Sequence, residues 1–239
     1  TVVQFALFVR TRSSTFRKKS NFFPLGIGRR YLEGLETALP MKLPTLLLNA
    51  GGSSRRMGQP KALLPMPGTA TPLIRHIAAR LLPLAADLLV IANDPAIAAA
   101  LNPLPARWLP DAYPDTGPLG GLATGLAASE DWCICVACDL PFVQPALFRY
   151  LLSQTSDDWD AVVPLVEDRP QPLHALYHPR CLAAIEASLA GGQRRMDSFL
   201  PRVRTRFIGS DELRPFDKAL RSFVNVNTPE EWAIALGLP

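Results

Sequence analysis

From Thr45 onward the apolar residues fall into two alternating patterns. Continuous apolar runs occur in TLLLNA at 45–50, DLLVIAND at 87–94, WCICVACD at 132–139 and DAVVPLV at 160–166. Runs this short, closed by small or polar residues, mark strands buried on both faces. Between them the apolar positions recur at helical spacing, as with Leu73, Ile77, Leu81 and Leu84, or Leu119, Leu122 and Leu126 on one face. ARWLPD at 106–111 reads as a shorter strand, and Pro95 and Pro141 lead into further helices, proline being at home in a first turn. Strands alternating with helices predict an α/β fold: a mainly parallel sheet with helices on both faces.

Past Trp159 the alternation weakens. EDRPQP reads as a turn, LHALYH as a second strand, and PRCLAAIEASLAGG as a helix stopped by its glycines. SFVNVNTPEEW predicts a last short strand, an N-cap at Thr228 and a helix begun by Pro229 with acids in its first turn. No repeat or long linker divides residues 41–239, which read as one domain. No apolar run approaches the roughly 18 residues of a membrane span.

Residues 1–40 lack this periodicity. They carry seven of the 25 basic residues and two of the 21 acidic ones, which leaves eighteen basic against nineteen acidic residues in the remainder. The overall charge of +4 therefore belongs to the first forty residues, and the globular part has no electrostatic signature of a nucleic-acid binder. A translated upstream stretch with Met41 as the start, a targeting segment and a basic arm all fit this segment; the first is preferred, and 1–40 is expected to be disordered or non-native.

In a parallel sheet, ligands bind beyond the carboxyl ends of the strands. That rule gathers the loop after Asn49 with Asn93, Asp111 and Asp139. The loop, NAGGSSRRMGQPK from Asn49 to Lys61, lacks the G-x-G-x-x-G of dinucleotide folds and the Lys-Ser/Thr of a P-loop. Six of the eleven positions from Gly51 to Lys61 are nevertheless glycine or basic. Gly51 and Gly52 would let phosphates lie against the chain, and Arg56 and Lys61 would neutralise them. Asp139, ending a buried run, needs a cation; opposite a phosphate loop the natural one is Mg²⁺. Asp111 reads equally as a second carboxylate of the site or as a turn aspartate.

Cys133, Cys135, Cys138 and Cys181 do not make a zinc framework with His76, His174 and His178. The cysteines of the WCICVAC run read as small buried hydrophobes, and a reducing cytoplasm is the expected compartment.

With these residues in view, the chain resembles the molybdenum cofactor guanylyltransferases, in a wider nucleotidyltransferase group sharing an A-G-G-x-S-x-R-M-G-x-x-K loop. Ala50, Gly51, Gly52, Ser54, Arg56, Met57, Gly58 and Lys61 fill that pattern. PDAYPDTGPLGGL around Asp111, ACDLPF around Asp139, PLHALY at 172–177 and FVNVNTPEEW at 223–232 extend the match and favour the guanylyltransferase branch. The resemblance implies a Rossmann-like fold and transfer of GMP from MgGTP to the phosphate of molybdopterin carrying molybdenum, with pyrophosphate leaving. It implies nucleotide contacts at Asn49, Ala50, Gly51, Gly52, Lys61, Asp111 and Asp139, Mg²⁺ at Asp139, and the pterin substrate toward Asn225 and Asn227. Arg56, Lys61 and Asp139 would carry the chemistry, and hand-over to other cofactor-synthesis or acceptor proteins is implied. One departure is Ile91, which stands where family members carry an asparagine that contacts the nucleotide. Cytidylyl transfer and a nucleotide-binding module without turnover are the alternatives. His174 and His178 read as structural or substrate-contacting, since an attacking phosphate is already ionised and needs no base.

Overall fold

The computed structural model describes residues 42–50, 60–66, 69–226 and 231. Of the expected site residues, Gly51, Gly52, Arg56 and Asn227 lie outside them, as do Thr228, Pro229 and all of 1–41. The strands are β1 (Thr45–Asn49), β2 (Asp87–Ile91), β3 (Ala106–Leu109), β4 (Cys133–Ala137), β5 (Ala161–Val166), β6 (Arg169–Pro170), β7 (His174–Tyr177) and β8 (Thr205–Ile208). The helices among the described residues are α1 (Leu73–Leu81), α2 (Pro95–Ala99), α3 (Pro118–Ala127), α4 (Pro145–Ser153), α5 (Leu182–Ala190) and α6 (Ser210–Leu213).

The strands form one sheet in the order β3-β2-β1-β4-β7-β5-β6, with β8 on β5. β3, β2, β1 and β4 are parallel, whereas β7 runs antiparallel to both β4 and β5. The sheet is therefore mixed: parallel in the half that holds Asn49, partly antiparallel in the other. The reversal comes from a hairpin tighter than EDRPQP suggests. Glu167 and Asp168, at φ 51° and 60°, make a two-residue turn, and Arg169 and Pro170 pair at once with β5.

Side chains of a strand alternate between faces, so each buried run supplies two cores. Leu46, Leu48, Leu88, Val90, Ile134 and Val136 pack with α1 and α4. Leu47, Leu89, Ile91, Cys133 and Cys135 pack on the opposite face with α3 and α5. All four cysteines are buried and free, and burial pushes the Cys133 and Cys181 thiols up to about 12. They act as small apolar side chains.

Three details differ from the sequence reading. Helix α3 buries far more than its leucine face: every residue from Leu119 to Leu126 is buried. It lies so close to β1 that a Cβ on Gly121 would fall 2.5 Å from Asn49 Oδ1, and one on Gly125 would collide with Leu47. β8, with Ser210–Leu213 after it, is an additional edge strand paired parallel to β5. Finally, Ser222–Val226 is not a strand. Arg221–Phe223 is a 3-10 turn; after it the Val224 N–H bonds back to the Arg221 carbonyl, and the Val226 N–H reaches the Asp139 carbonyl at 3.0 Å.

The antiparallel half is anchored by Asp160. Its carboxylate accepts from Arg180 Nε at 2.7 Å and from Arg204 Nη2 at 2.8 Å, which holds the carboxyl well below the ordinary carboxylate range.

The close approach of α3 to β1 generates a test. Gly125→Val forces two γ-methyls against Leu47 and should destabilise the fold by about 2 kcal/mol, a fall in Tm of roughly 5 °C by differential scanning fluorimetry. An unchanged Tm would mean that α3 has room to move off the sheet.

Candidate active site

β1 and β4 are adjacent, but the chain leaves β1 for β2 on one side and reaches β4 from β3 across β1. Between their carboxyl ends lies the switch point of the sheet, where loops diverge and leave a crevice. Asp139, two residues beyond β4, stands there half-buried. Lys61 enters from the 3-10 turn Lys61–Leu63 and brings Nζ to 3.7 Å from Asp139 Oδ2. Burial pushes the Asp139 carboxyl above the ordinary range, and the Lys61 ammonium pulls it part of the way back. A carboxylate left in that state gains from a further cation.

The segment carrying Asp139 is fastened from two sides. From α1, the His76 ring Nε2 donates to the Pro141 carbonyl at 3.1 Å and Arg80 Nε to the Val143 carbonyl at 2.9 Å. From the C-terminal side, Val226 N–H bonds the Asp139 carbonyl, Ser222 Oγ donates to the Phe142 carbonyl at 3.3 Å, and the Arg221 guanidinium lies 4.2 Å over the Phe142 ring. Ser222 is held in turn by the Asp217 carboxylate, which accepts its N–H at 2.7 Å. These bonds bring Asn225 beside Asp139 across 86 residues of sequence. Both line a cleft of about 250 Å³ with Gln171, His174 and Phe223.

The other expected residues have definite local roles. Asn49 turns its side chain inward, where Nδ2 donates to the Pro118 carbonyl at 2.6 Å and pins the start of α3 to β1. Asn49 Oδ1 is buried and has no partner among the described residues. The Ala50 N–H is engaged by the Ile91 carbonyl at 3.0 Å. Asp111 makes the turn expected of its alternative reading, with Oδ1 accepting from Tyr113 N–H at 2.9 Å and Thr124 Oγ1 at 3.2 Å. Its own N–H donates to Asn93 Oδ1 at 3.0 Å. Asp111 and Asn93 thus meet at the carboxyl edge of β2 and β3. Ile91 is fully buried opposite Asn49, packed against α3, and offers nothing to a ligand.

Sequence reasoning did not single out Gln171, and it left His174 between a structural and a substrate-contacting role; both line this cleft. The antiparallel pairing of β7 with β4, which brings them there, has no local signal. His178 lies elsewhere, its Nδ1 accepting from the Arg180 N–H at 3.1 Å.

The arrangement can hold an anionic chain between a lysine and a cation-seeking carboxylate, with a second cleft alongside. Comparison with known proteins shows the family and the fold. Residues 46–205 match the family model described as MobA-like NTP transferase domain. A protein from Pelotomaculum thermopropionicum named probable molybdenum cofactor guanylyltransferase is 37% identical over 188 residues, which cover 78% of this chain and 89% of that protein. The crystal structure of molybdopterin-guanine dinucleotide biosynthesis protein A from Archaeoglobus fulgidus superposes with a TM-score of 0.69 at 27% identity, covering 80% of this chain and 96% of that one. A 4-diphosphocytidyl-2C-methyl-D-erythritol synthase from Anaerococcus prevotii shares the fold at 13% identity and a TM-score of 0.60, over 82% of this chain and 95% of that one. The fold and enzyme class are those of a Rossmann-like nucleotidyltransferase. The chain belongs to the MobA-like NTP transferase family.

The raised Asp139 carboxyl has a consequence for stability. Below the ordinary carboxylate range the group is protonated in both folded and unfolded chains; as pH rises above about 4 the unfolded chain ionises first, and the folded state loses stability. Asp139→Asn should therefore melt higher than the wild type at pH 7 in metal-free buffer, with the gap closing toward pH 4. A variant that melts lower at pH 7 would contradict the balance between burial and Lys61.

Proposed function

We propose that this protein transfers GMP from GTP to the terminal phosphate of molybdenum-bearing molybdopterin. The observation that carries the reading is the Lys61–Asp139 pair at the sheet's switch point, opening onto a cleft shared with Asn225. The relatives' names supply the nucleotide and the acceptor.

An acceptor phosphate oxygen attacks the α-phosphorus of GTP. A new P–O bond forms, the bond from the α-phosphorus to the bridging oxygen breaks, and its electron pair leaves with pyrophosphate. The acceptor is already ionised at neutral pH, so no general base is needed, and the work left to the protein is positioning and charge stabilisation. Lys61 would hold the departing phosphates as a compact cation, joined by Arg56 and the glycines Gly51 and Gly52. Asn225 and Asn227 would hold the acceptor.

Asp139 fits Mg²⁺: a hard oxygen donor, short of positive charge, of the kind the ion takes one or two of beside phosphate oxygens. When bound, the ion would neutralise charge building on the phosphate oxygens. Asp139 is positioned for it by a main-chain carbonyl bonded to Val226 and by a loop tied to α1.

Ile91, sealed in the core, offers the base no contact. Asn93 and Asp111, at the carboxyl edge nearby, are the polar groups left to meet it. Incubation with Mg²⁺, molybdopterin and each NTP in turn should give product and pyrophosphate fastest from GTP. Preference for CTP would replace guanylyl by cytidylyl transfer, and no turnover with any NTP would leave a nucleotide-binding module. Asp139→Ala should lose at least about a hundredfold in turnover, in line with removal of a principal electrostatic group, while keeping its fold.

A further inference from the structure

His174 is built into the molecule at odds with ordinary packing. It opens β7, is 1% exposed, and lies between the rings of Phe148, centroids 4.3 Å apart, and Phe223, 4.6 Å apart. Neither ring nitrogen has a hydrogen-bond partner among the described residues. Burial drives its pKa down to about 3, so at neutral pH the ring keeps one N–H donor and one lone-pair acceptor. Both have been stripped of water without protein partners in return, which native structures seldom tolerate without a reason. A phenylalanine would fill the slot between two phenylalanines without that loss.

The reason is at hand in the cleft. His174 lines it, together with Asp139, Gln171, Phe223 and Asn225. At about 250 Å³ the cleft is smaller than the usual pocket for a whole drug-sized ligand, roughly 300–1,000 Å³, and suits one part of a substrate. Asp139 marks its reacting end. Beyond Asp139 the lining includes Gln171, Asn225 and His174, whose imidazole has both nitrogens unpaired among the described residues.

We propose that His174 is a specificity-determining residue for the acceptor, one nitrogen of its neutral imidazole pairing with a donor or acceptor atom of the acceptor's nitrogen heterocycle. This rests on the nucleotidyl-transfer reading, in which the acceptor occupies the side of Asp139 bearing Asn225. A heterocycle that offers such an atom satisfies the imidazole nitrogen facing it; an acceptor without one leaves that nitrogen unpaired, and discrimination follows from that difference.

Two measurements with anaerobically prepared molybdopterin test the assignment. In wild-type protein with ¹⁵N-labelled histidine, which has three imidazoles in all, molybdopterin should shift the ring nitrogens of His174 and MgGTP alone should not. His174→Phe should melt at or above the wild-type temperature, raise the KM for molybdopterin roughly tenfold and leave the KM for GTP within about twofold, the loss expected from one buried hydrogen bond. His174→Gln, which restores a polar atom, should recover part of the acceptor affinity. Unshifted His174 signals with molybdopterin bound, or an unchanged acceptor KM in His174→Phe, would overturn the inference and leave the transfer reaction standing. A wild-type protein that neither binds molybdopterin nor forms product would remove the reaction itself. Should His174→Phe fail to fold, the wild-type spectra decide alone.

Discussion

The ion pair between Lys61 and Asp139 concentrates the physics of this molecule. A carboxylate just past a fully buried strand is short of both water and positive charge, and a single lysine at 3.7 Å relieves that only in part. The architecture accepts this state and maintains it. The Asp139 segment is held by His76 and Arg80 of α1 and by the Val226, Ser222 and Arg221 contacts of the C-terminal side. Those ties keep the carboxylate from relaxing toward solvent, which would remove its demand for a cation. A preorganised charge of this kind is what a reaction that develops charge on phosphate oxygens can use.

The same ties connect the two halves of the sheet. The parallel half supplies the switch point and, through Asn49 and the close approach of α3, a rigid floor for it. The antiparallel half supplies the second cleft, because β7 is paired to β4 and carries His174 to the flank of Asp139. On the reading proposed above, nucleotide chemistry and acceptor recognition would fall to different parts of one sheet, joined at Asp139. Such a separation would let the acceptor cleft vary while the phosphate machinery stays fixed, as expected of a fold that serves several nucleotidyl transfers.

Much of this is legible in the chain itself. The four buried runs announce central strands because each strand must be apolar toward two cores at once, as Leu46 and Leu48 face α1 while Leu47 faces α3. The rule of strand ends likewise gathers Asn49, Asp111 and Asp139 at one edge from sequence alone. What escapes has no local signature. β8 reads TRFI, with Ile208 buried and the other three residues half-buried or exposed, and becomes a strand only because β5 is beside it. Phe223–Val226 reads FVNV and looks like a strand, yet the Val226 N–H bonds the Asp139 carbonyl and no strand forms there among the described residues. His174 resembles any buried histidine until Phe223, 49 residues later, closes over it. The two readings of Asp111 are inseparable in sequence because a turn aspartate and a ligand aspartate occupy the same place after a strand; the structure shows the turn.

The central claim is that Asp139 is the point at which cation and reacting phosphate meet. Crystals grown with Mn²⁺ and a GTP analogue that cannot be cleaved between the α- and β-phosphates test it directly, through the anomalous signal of the metal. The account predicts manganese coordinated by the Asp139 carboxylate and by a phosphate oxygen, with Lys61 bonded to the phosphates. Manganese on the nucleotide with Asp139 still paired to Lys61 and outside the metal's coordination would contradict it.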